Sequence, residues 1–463
     1  MLEELRQLLG DAGLLTDAAD VAPYLVDHRR LYQGRALGVA LPRSTAQVSA
    51  LLAWCDARGV GVVPQGGNTG YCGGATPDES GRQLVVALRR LDRVRAVDAA
   101  NFSLTAEAGC LLADVQHAAA EAGRYYPVSL GSEGSCQIGG NLATNAGGLN
   151  VLRFGMTREQ VLGLEVVLAD GRVLDALGGL RKDNTGYDLK SLFVGSEGTL
   201  GIITAATLRL LPPPVAQATA FVAVRDVAAA IELLGRLRTA SGDALSSFEL
   251  IPAIAVELVC RHIPGCSAPL GAGSPWYVLC ELASPAPEPL DSTLQAALAA
   301  ALESGLVQDA ALATSEASAW SSGACASRSR RRNSRTASST TSRCRSRRCR
   351  SSSRAGAWRV RREVPEGVLV GYGHAGDGNL HFNINLVDGA ADAAAFRLPS
   401  PPSGGRSTTW WPELKGSISA EHGIGRLKRE ELARYANPVE LELMRTLKRA
   451  LDPNGIMNPG KVL

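Results

Sequence analysis

Apolar residues recur at two periods along this chain and divide it into elements. Leu2, Leu5, Leu8 and Leu9 return at helical spacing, so residues 1–34 are read as an N-terminal helical segment. Ala36–Leu41 is an apolar strand ending at Pro42. Ser44-Thr-Ala-Gln47 is a capping-box signature, and Val48, Leu51, Leu52 and Cys55 then fall on one helical face. Gly59–Val63 is the next strand, which closes a β-α-β unit. Leu84–Leu88 is a continuous apolar strand, and Leu104–Gly109 alternates as a half-buried one. A helix over Leu112–Ala122 stops at Gly123. Leu162–Leu168 and Arg172–Asp175 flank an Ala-Asp-Gly turn and predict a hairpin.

Ile202–Leu211 is the last strand before Pro212-Pro-Pro214, which is read as a domain boundary. Beyond it the pattern predicts a second α+β region. Its strands are Ala220–Val224 and Trp276–Leu282, and its helices Val227–Leu237 and Leu290–Ala301. Further on, Val368–Tyr372 and His381–Asn385 read as two more strands.

Three glycine-rich loops interrupt the first region: Pro64-Gln-Gly-Gly-Asn-Thr-Gly70, Gly131-Ser-Glu-Gly-Ser-Cys-Gln-Ile-Gly-Gly-Asn-Leu-Ala-Thr-Asn-Ala-Gly-Gly148 and Gly195-Ser-Glu-Gly-Thr-Leu-Gly201. Glycine lets a backbone approach a ligand closely, and its N–H groups can then face an anion. Three such loops between Pro64 and Ile203 imply a large phosphate-bearing cofactor.

Composition changes the picture in one place. Hydrophobic content of 45% and charged content of 20% are ordinary for a globular protein, and no apolar run is long enough to span a bilayer. Met1-Leu-Glu-Glu-Leu-Arg lacks the basic and apolar regions of a secretory signal, so the expectation is a cytoplasmic enzyme. The ten cysteines contain no CxxC pair and are read as reduced thiols. The net charge of +3, however, hides an imbalance. Arg328 to Arg362 holds 14 arginines and no acidic residue, and taking those charges from +3 leaves −11.

That arginine segment has two readings. Ser321–Arg362 could be an RS-like basic tract that binds nucleic acid, detectable by steeply salt-dependent binding. Alternatively it is translated out of frame from a GC-rich gene. Codons for Ser338–Arg350 exist that, read one base earlier, give Leu-Lys-His-Asp-Val-Ala-Val-Pro-Val-Ala-Ala-Val-Pro. Trp320 to Arg332 likewise permits Val-Val-Trp-Arg-Leu-Arg-Glu-Ser-Leu-Pro-Ala-Ala. A second patch, Arg406-Ser-Thr-Thr-Trp-Trp411, permits Val-His-Asp-Leu-Val-Ala with the same offset. Two patches that resolve with one offset favour the frame reading, which takes in 320–362 and about 398–411.

The three glycine loops resemble the FAD domain of the vanillyl-alcohol oxidase/p-cresol methylhydroxylase superfamily. Gly373-His-Ala-Gly-Asp-Gly-Asn-Leu-His381, Ser419-Ala-Glu-His-Gly-Ile-Gly425 and Asn458-Pro-Gly-Lys461 narrow this to the D-2-hydroxyglutarate and D-lactate dehydrogenase branch. The resemblance implies an α+β fold with a two-subdomain FAD-binding (PCMH-type) domain over 35–213. A substrate cap of antiparallel sheet and helices would span 214–440, with a C-terminal return over 441–463. It implies FAD contacts from Pro64, Gly66, Gly67, Asn68, Thr69 and Gly70 in the first loop. In the second they come from Gly131, Ser132, Gly134, Ser135, Gly139, Gly140, Asn141, Thr144, Asn145 and Gly148. Glu197, Gly198, Gly201, Ile203 and Asn458 complete the set. No histidine lies in these loops, so flavin is expected to be non-covalent.

His374 and His381 stand seven apart, and Glu421 precedes His422. Two imidazoles and a carboxylate suit a divalent metal, and the resemblance implies zinc or manganese on His374, His381 and Glu421. It makes His422 the general base and Asn379 a substrate contact. Lys428 is read as a helix-surface charge in preference to a residue near the substrate. The implied reaction is oxidation of a D-2-hydroxyacid, with 2-hydroxyglutarate favoured over lactate or glycolate. Electrons would pass to a quinone, cytochrome or electron-transfer flavoprotein. No nucleic-acid partner is expected on this reading, and peripheral membrane contact or a homodimer is compatible with it. The arginine and lysine that would hold the substrate carboxylate fall in the shifted patch, which leaves an impaired flavin-binding pseudoenzyme as an alternative.

Overall fold

A computed structural model describes residues 1–271, 273–313, 338–343, 367–386 and 416–463. The chain forms two compact units. The first comprises residues 1–148, 155–213 and 421–463, and the second 149–154 and 214–420. The break at Pro213 matches the proline boundary. The ends differ from the sequence reading. Residues 1–34 are no separate segment, because Leu5 and Leu9 are buried in one core with Val48, Leu51 and Leu52. The return to the first unit begins at Glu421, because Gly423, Ile424 and Gly425 are already bound to it.

The first unit holds two sheets. In the smaller, β1 (Leu14–Leu15), β2 (Gly38–Ala40), β3 (Gly61–Gln65) and β4 (Gln83–Ala87) run in the order β1-β2-β4-β3. The β2-helix-β3 crossover is present, yet β4 lies between its two strands and is parallel to both. The most apolar strand takes the centre, since all five residues of β4 are buried and only a central place covers both faces. The crossover helix Thr45–Arg58 begins as its sequence predicts. Ser44 Oγ accepts from Gln47 N–H at 3.2 Å, and Gln47 Oε1 accepts from Arg43 N–H at 2.7 Å. It ends at Gly59, in the left-handed region with φ of 62°.

The larger sheet joins β5 (Val94–Asp98), β6 (Ser103–Glu107), β7 (Val161–Val167), β8 (Val173–Ala176) and β9 (Ile202–Arg209) in the order β5-β6-β9-β7-β8. The predicted hairpin is β7–β8. Strand β5 has no apolar alternation and is largely exposed; ion pairs hold it. Arg95 reaches Glu107 at 3.1 Å and Glu165 at 3.0 Å. Glu165 also accepts from Thr45 and Thr204 hydroxyls at 2.6 and 2.8 Å.

The second unit is an antiparallel sheet of β10 (Ala216–Val224), β11 (Leu245–Pro252), β12 (Trp276–Ser284), β13 (Val307–Leu312), β14 (Ser338–Arg343), β15 (Gly367–His374) and β16 (Asn379–Leu386). Their order is β13-β10-β12-β11-β15-β16-β14. Alternate residues of β10 face opposite cores. Val222 and Val224 pack with Leu233 and Leu294 of the helices Val227–Ala240 and Leu290–Glu303. Phe221 and Ala223 pack with Ala255 and Val256 of the helix Ala253–His262. Strand β11 escapes the sequence reading because Ser246, Ser247 and Glu249 break its apolar run, although every residue in it is buried.

Candidate functional site

In the first unit the site is a cradle of loops at the C-terminal end of β3. Gln65 fixes the first loop, its amide donating to Tyr24 and Ala75 carbonyls at 3.0 and 2.8 Å. Asn68 turns the chain with φ of 51° and donates to the Val26 carbonyl at 2.9 Å. A cavity of about 520 Å³ opens here, lined by Gly66, Gly67 and Asn68 with Tyr24, Arg89 and Gln137. The sequence reading missed these last three. Arg89 follows directly on the apolar run that became β4, and that position was the available signal.

The glycines separate into two groups by what a Cβ would meet. At Gly67 it would lie 2.0 Å from the Ser135 carbonyl oxygen, and at Gly148 1.7 Å from that of Ser129. At Gly139 it would strike Ala108 at 2.6 Å, at Gly198 Pro64 at 2.9 Å, and at Gly201 Val166 at 2.9 Å. These glycines allow loops to touch loops and strands. At Gly70, Gly131, Gly134 and Gly140 a Cβ would meet nothing within 4 Å. Those positions leave room for a side chain, as does Gly66, where the nearest contact is 3.5 Å away.

Several polar residues expected at a ligand carry hydrogen bonds within or between the loops. Ser132 accepts at its carbonyl from Ser135 and Cys136 N–H groups at 2.9 and 2.8 Å. Thr144 donates to the Gly140 carbonyl at 2.9 Å, and Asn145 accepts from Arg158 N–H at 2.9 Å. Asn141 is buried, with its amide 3.6 Å from Cys136 Sγ. Thr69 belongs to the first loop, and Ile203 is buried in β9 beside Val166. Glu197, with φ of 53°, accepts from Ile424 and Gly425 N–H at 2.7 and 2.8 Å. Burial pushes its carboxyl above the ordinary range, against the pull of those two bonds and Lys428. Asn458 donates to Gly74 and Glu197 carbonyls at 2.9 and 2.8 Å.

Lys428 is not the surface charge its sequence suggested. It is buried, and desolvation lowers its pKa, opposed by Cys72, Glu431 and Glu197. Nearby, the Tyr71 ring meets His422 edge-on with centroids 4.7 Å apart, and His422 Nε2 stands 4.0 Å from Glu421.

In the second unit the β15–β16 hairpin brings two imidazoles together. Tyr372 pairs with His381 in register and its ring stacks on it at 5.1 Å; the His374 and His381 rings meet edge-on at 5.6 Å. Both histidines are buried. Glu249, opposite His374 in register on β11, binds His374 Nδ1. A carboxylate on Nδ1 fixes the tautomer and turns Nε2 outward as a ligand atom, the arrangement that commonly orders metal-bound histidine. Glu249 was missed; an acid inside a fully buried strand is the signal that marks it. Asn379 begins β16, buried, with its N–H on Asp377 Oδ1 at 2.9 Å.

Comparison with known proteins assigns this architecture. Residues 36–177 match an FAD binding domain, and residues 213–462 match the C-terminal domain of FAD linked oxidases. The chain belongs to the FAD-linked oxidase family. This makes it an FAD-linked oxidoreductase. It is 40% identical over 97% of its length to the mitochondrial D-2-hydroxyglutarate dehydrogenase of Bos taurus, covering 81% of that protein. It is 36% identical over 99% of its length to the D-2-hydroxyglutarate dehydrogenase of Xanthomonas citri pv. viticola, covering 96%. The fold is that of p-cresol methylhydroxylase (TM-score 0.74, 16% identity, 100% of this chain and 96% of that one). It is shared with alkyldihydroxyacetonephosphate synthase (TM-score 0.73, 17% identity, 99% and 85%).

The division of glycines makes a prediction for this glycine cradle. Gly67→Ala forces a methyl into the Ser135 carbonyl and lowers the unfolding free energy by about 3 kcal/mol. Gly140→Ala keeps the wild-type midpoint in urea and weakens flavin retention instead. Equal midpoints for the two variants would count against the division.

Proposed function

We propose that the protein oxidises a D-2-hydroxyacid, 2-hydroxyglutarate foremost, to the 2-oxoacid. The observation that carries this reading is the Glu249-ordered His374–His381 pair, in a chain 40% identical to a D-2-hydroxyglutarate dehydrogenase. The cradle suits FAD: Gly66, Gly67 and Arg89 line its cavity, and Gln137 Oε1 is buried there without a hydrogen-bond partner among the described residues. Pro64–Gly70 and Gly131–Gly148 would hold FAD, which would supply the acceptor for a hydride from substrate C2. A divalent zinc or manganese on His374, His381 and Glu421 would polarise the 2-hydroxyl as a Lewis acid. His422 takes the hydroxyl proton, its ring edge-on to Tyr71 and beside Glu421. Asn379 contacts the substrate. The electrons leave to a quinone, cytochrome or electron-transfer flavoprotein, in the cytoplasm.

We also propose that residues 320–362 and about 398–411 are out of frame; most of them lie outside the described residues. The register of β14 supports this, pairing Ser339 with Asn383 and Thr341 with His381. The restored reading puts a strand-like Leu-Lys-His-Asp-Val-Ala at those positions, with lysine at 339 and aspartate at 341.

Anaerobic bleaching of the flavin by a panel of D- and L-hydroxyacids, with and without chelator, tests the function. Bleaching by D-2-hydroxyglutarate that chelator abolishes is the expected result. Preference for D-lactate would favour a second reading, supported by 33% identity to a putative D-lactate dehydrogenase of Schizosaccharomyces pombe. Glu249→Gln should weaken metal binding about 10–100-fold, measured by competition with a chromophoric chelator. Unchanged affinity would remove Glu249 from that role.

A further inference from the structure

A second cavity lies at the other end of the small parallel sheet. Gly61 and Gln83 are the first residues of β3 and β4 and pair in register. Asp78 binds the Gln83 side chain at 2.9 Å, and Pro459 covers Gly61, where a Cβ would come within 3.1 Å. Asp78 and Pro459 both line this cavity of about 570 Å³, with Arg426, Arg429, Glu430 and Lys461. The glycine cradle opens at the opposite end of β3, so the two cavities are distinct.

Lys461 sets this cavity apart from an ordinary charged surface. The residue is 3% exposed, and its ammonium has no hydrogen-bond or ion-pair partner within 4 Å among the described residues. A largely desolvated ammonium that no carboxylate contacts directly is costly. Burial, and then Arg426, lower its pKa to about 8; Asp78 opposes this and Arg429 adds to it. Asp78 is already engaged by the Ser80 and Gln83 side chains, and Glu430 is exposed at the rim.

We propose that Lys461, Arg426 and Arg429 form a binding site for a small oxyanion, of the sulfate, phosphate or carboxylate type, separate from the flavin cradle. An oxyanion there would give the Lys461 ammonium its missing acceptor, and the two guanidiniums would add charge-assisted bonds. The proposal does not rest on the hydroxyacid reading.

The test uses flavin-loaded protein, so that the cradle is filled, and titrates sulfate and succinate at constant ionic strength by calorimetry. Sulfate keeps its charge across the pH range. One-site binding is expected in the wild type, at least tenfold weaker in Lys461→Met and at least threefold weaker in Arg429→Gln. Arg429 is exposed, so the second variant probes the site without disturbing a buried position. Wild-type sulfate affinity should fall about tenfold between pH 7.5 and 9, as Lys461 loses its proton, and stay flat in Lys461→Met. Tighter sulfate than succinate marks a phosphate-like ligand, and the reverse a carboxylate. No binding to wild type, or equal binding to Lys461→Met, overturns the proposal.

Discussion

Restoring the reading frame across both patches should raise kcat/KM for D-2-hydroxyglutarate about 100-fold or more. The family resemblance puts an arginine and a lysine for the substrate carboxylate inside the first patch, within Trp-Arg-Leu-Arg-Glu and Leu-Lys-His-Asp. Each hydrogen bond between charged groups contributes about 1.5–3 kcal/mol, so losing two removes about 3–6 kcal/mol of binding to substrate and transition state. The flavin cradle draws no residue from either patch. Both forms should therefore purify with equal flavin content, and only the restored one should bleach readily with substrate. The comparison requires two single-base changes per patch in the gene and steady-state kinetics with a dye acceptor. Equal kcat/KM in the two forms, or an unbroken frame in independent isolates of the locus, would end the idea.

His422→Asn should lower kcat about 10²–10⁴-fold, the range that a positioned general base supplies. The substitution keeps a polar side chain on the loop that follows Glu421, so the Glu197 bonds to Ile424 and Gly425 are left in place. Flavin content and the unfolding midpoint are thus expected to stay at wild-type values. KM should change far less than kcat, because proton removal belongs to the transition state. A tenfold or smaller loss of kcat would take His422 out of the base role.

The motifs that carry the family resemblance were legible because glycines and histidines stand in ordered runs, as in Gly131–Gly148 and Gly373–His381. What each residue does was less legible. Gly67 and Gly140 look alike in sequence; one meets a carbonyl 2.0 Å away and the other meets open space. Glu197 and Asn458 lie in loops that imply ligand contact, yet bind backbone brought from far along the chain. Strand β5 stayed hidden because ion pairs to Glu107 and Glu165 hold it. Glu249 stayed hidden because its partner, His374, is 125 residues away. Lys428 misled because a lysine beside Arg429 and Glu430 reads as solvated, while the fold buries it under Cys72 and Glu197.

The bonds that Glu197 and Asn458 make have a consequence for synthesis. The first unit receives Met457 as a parallel bridge beside Val62, and Asn458 joins two of its loops. Residues 214–420 emerge from the ribosome before those partners exist. The cradle therefore closes only after the whole intervening unit has been synthesised. A chain interrupted anywhere before Glu421 would leave residues 1–213 without Ile424, Gly425 and Asn458, so its loops would stay untied however well the rest of that unit folded.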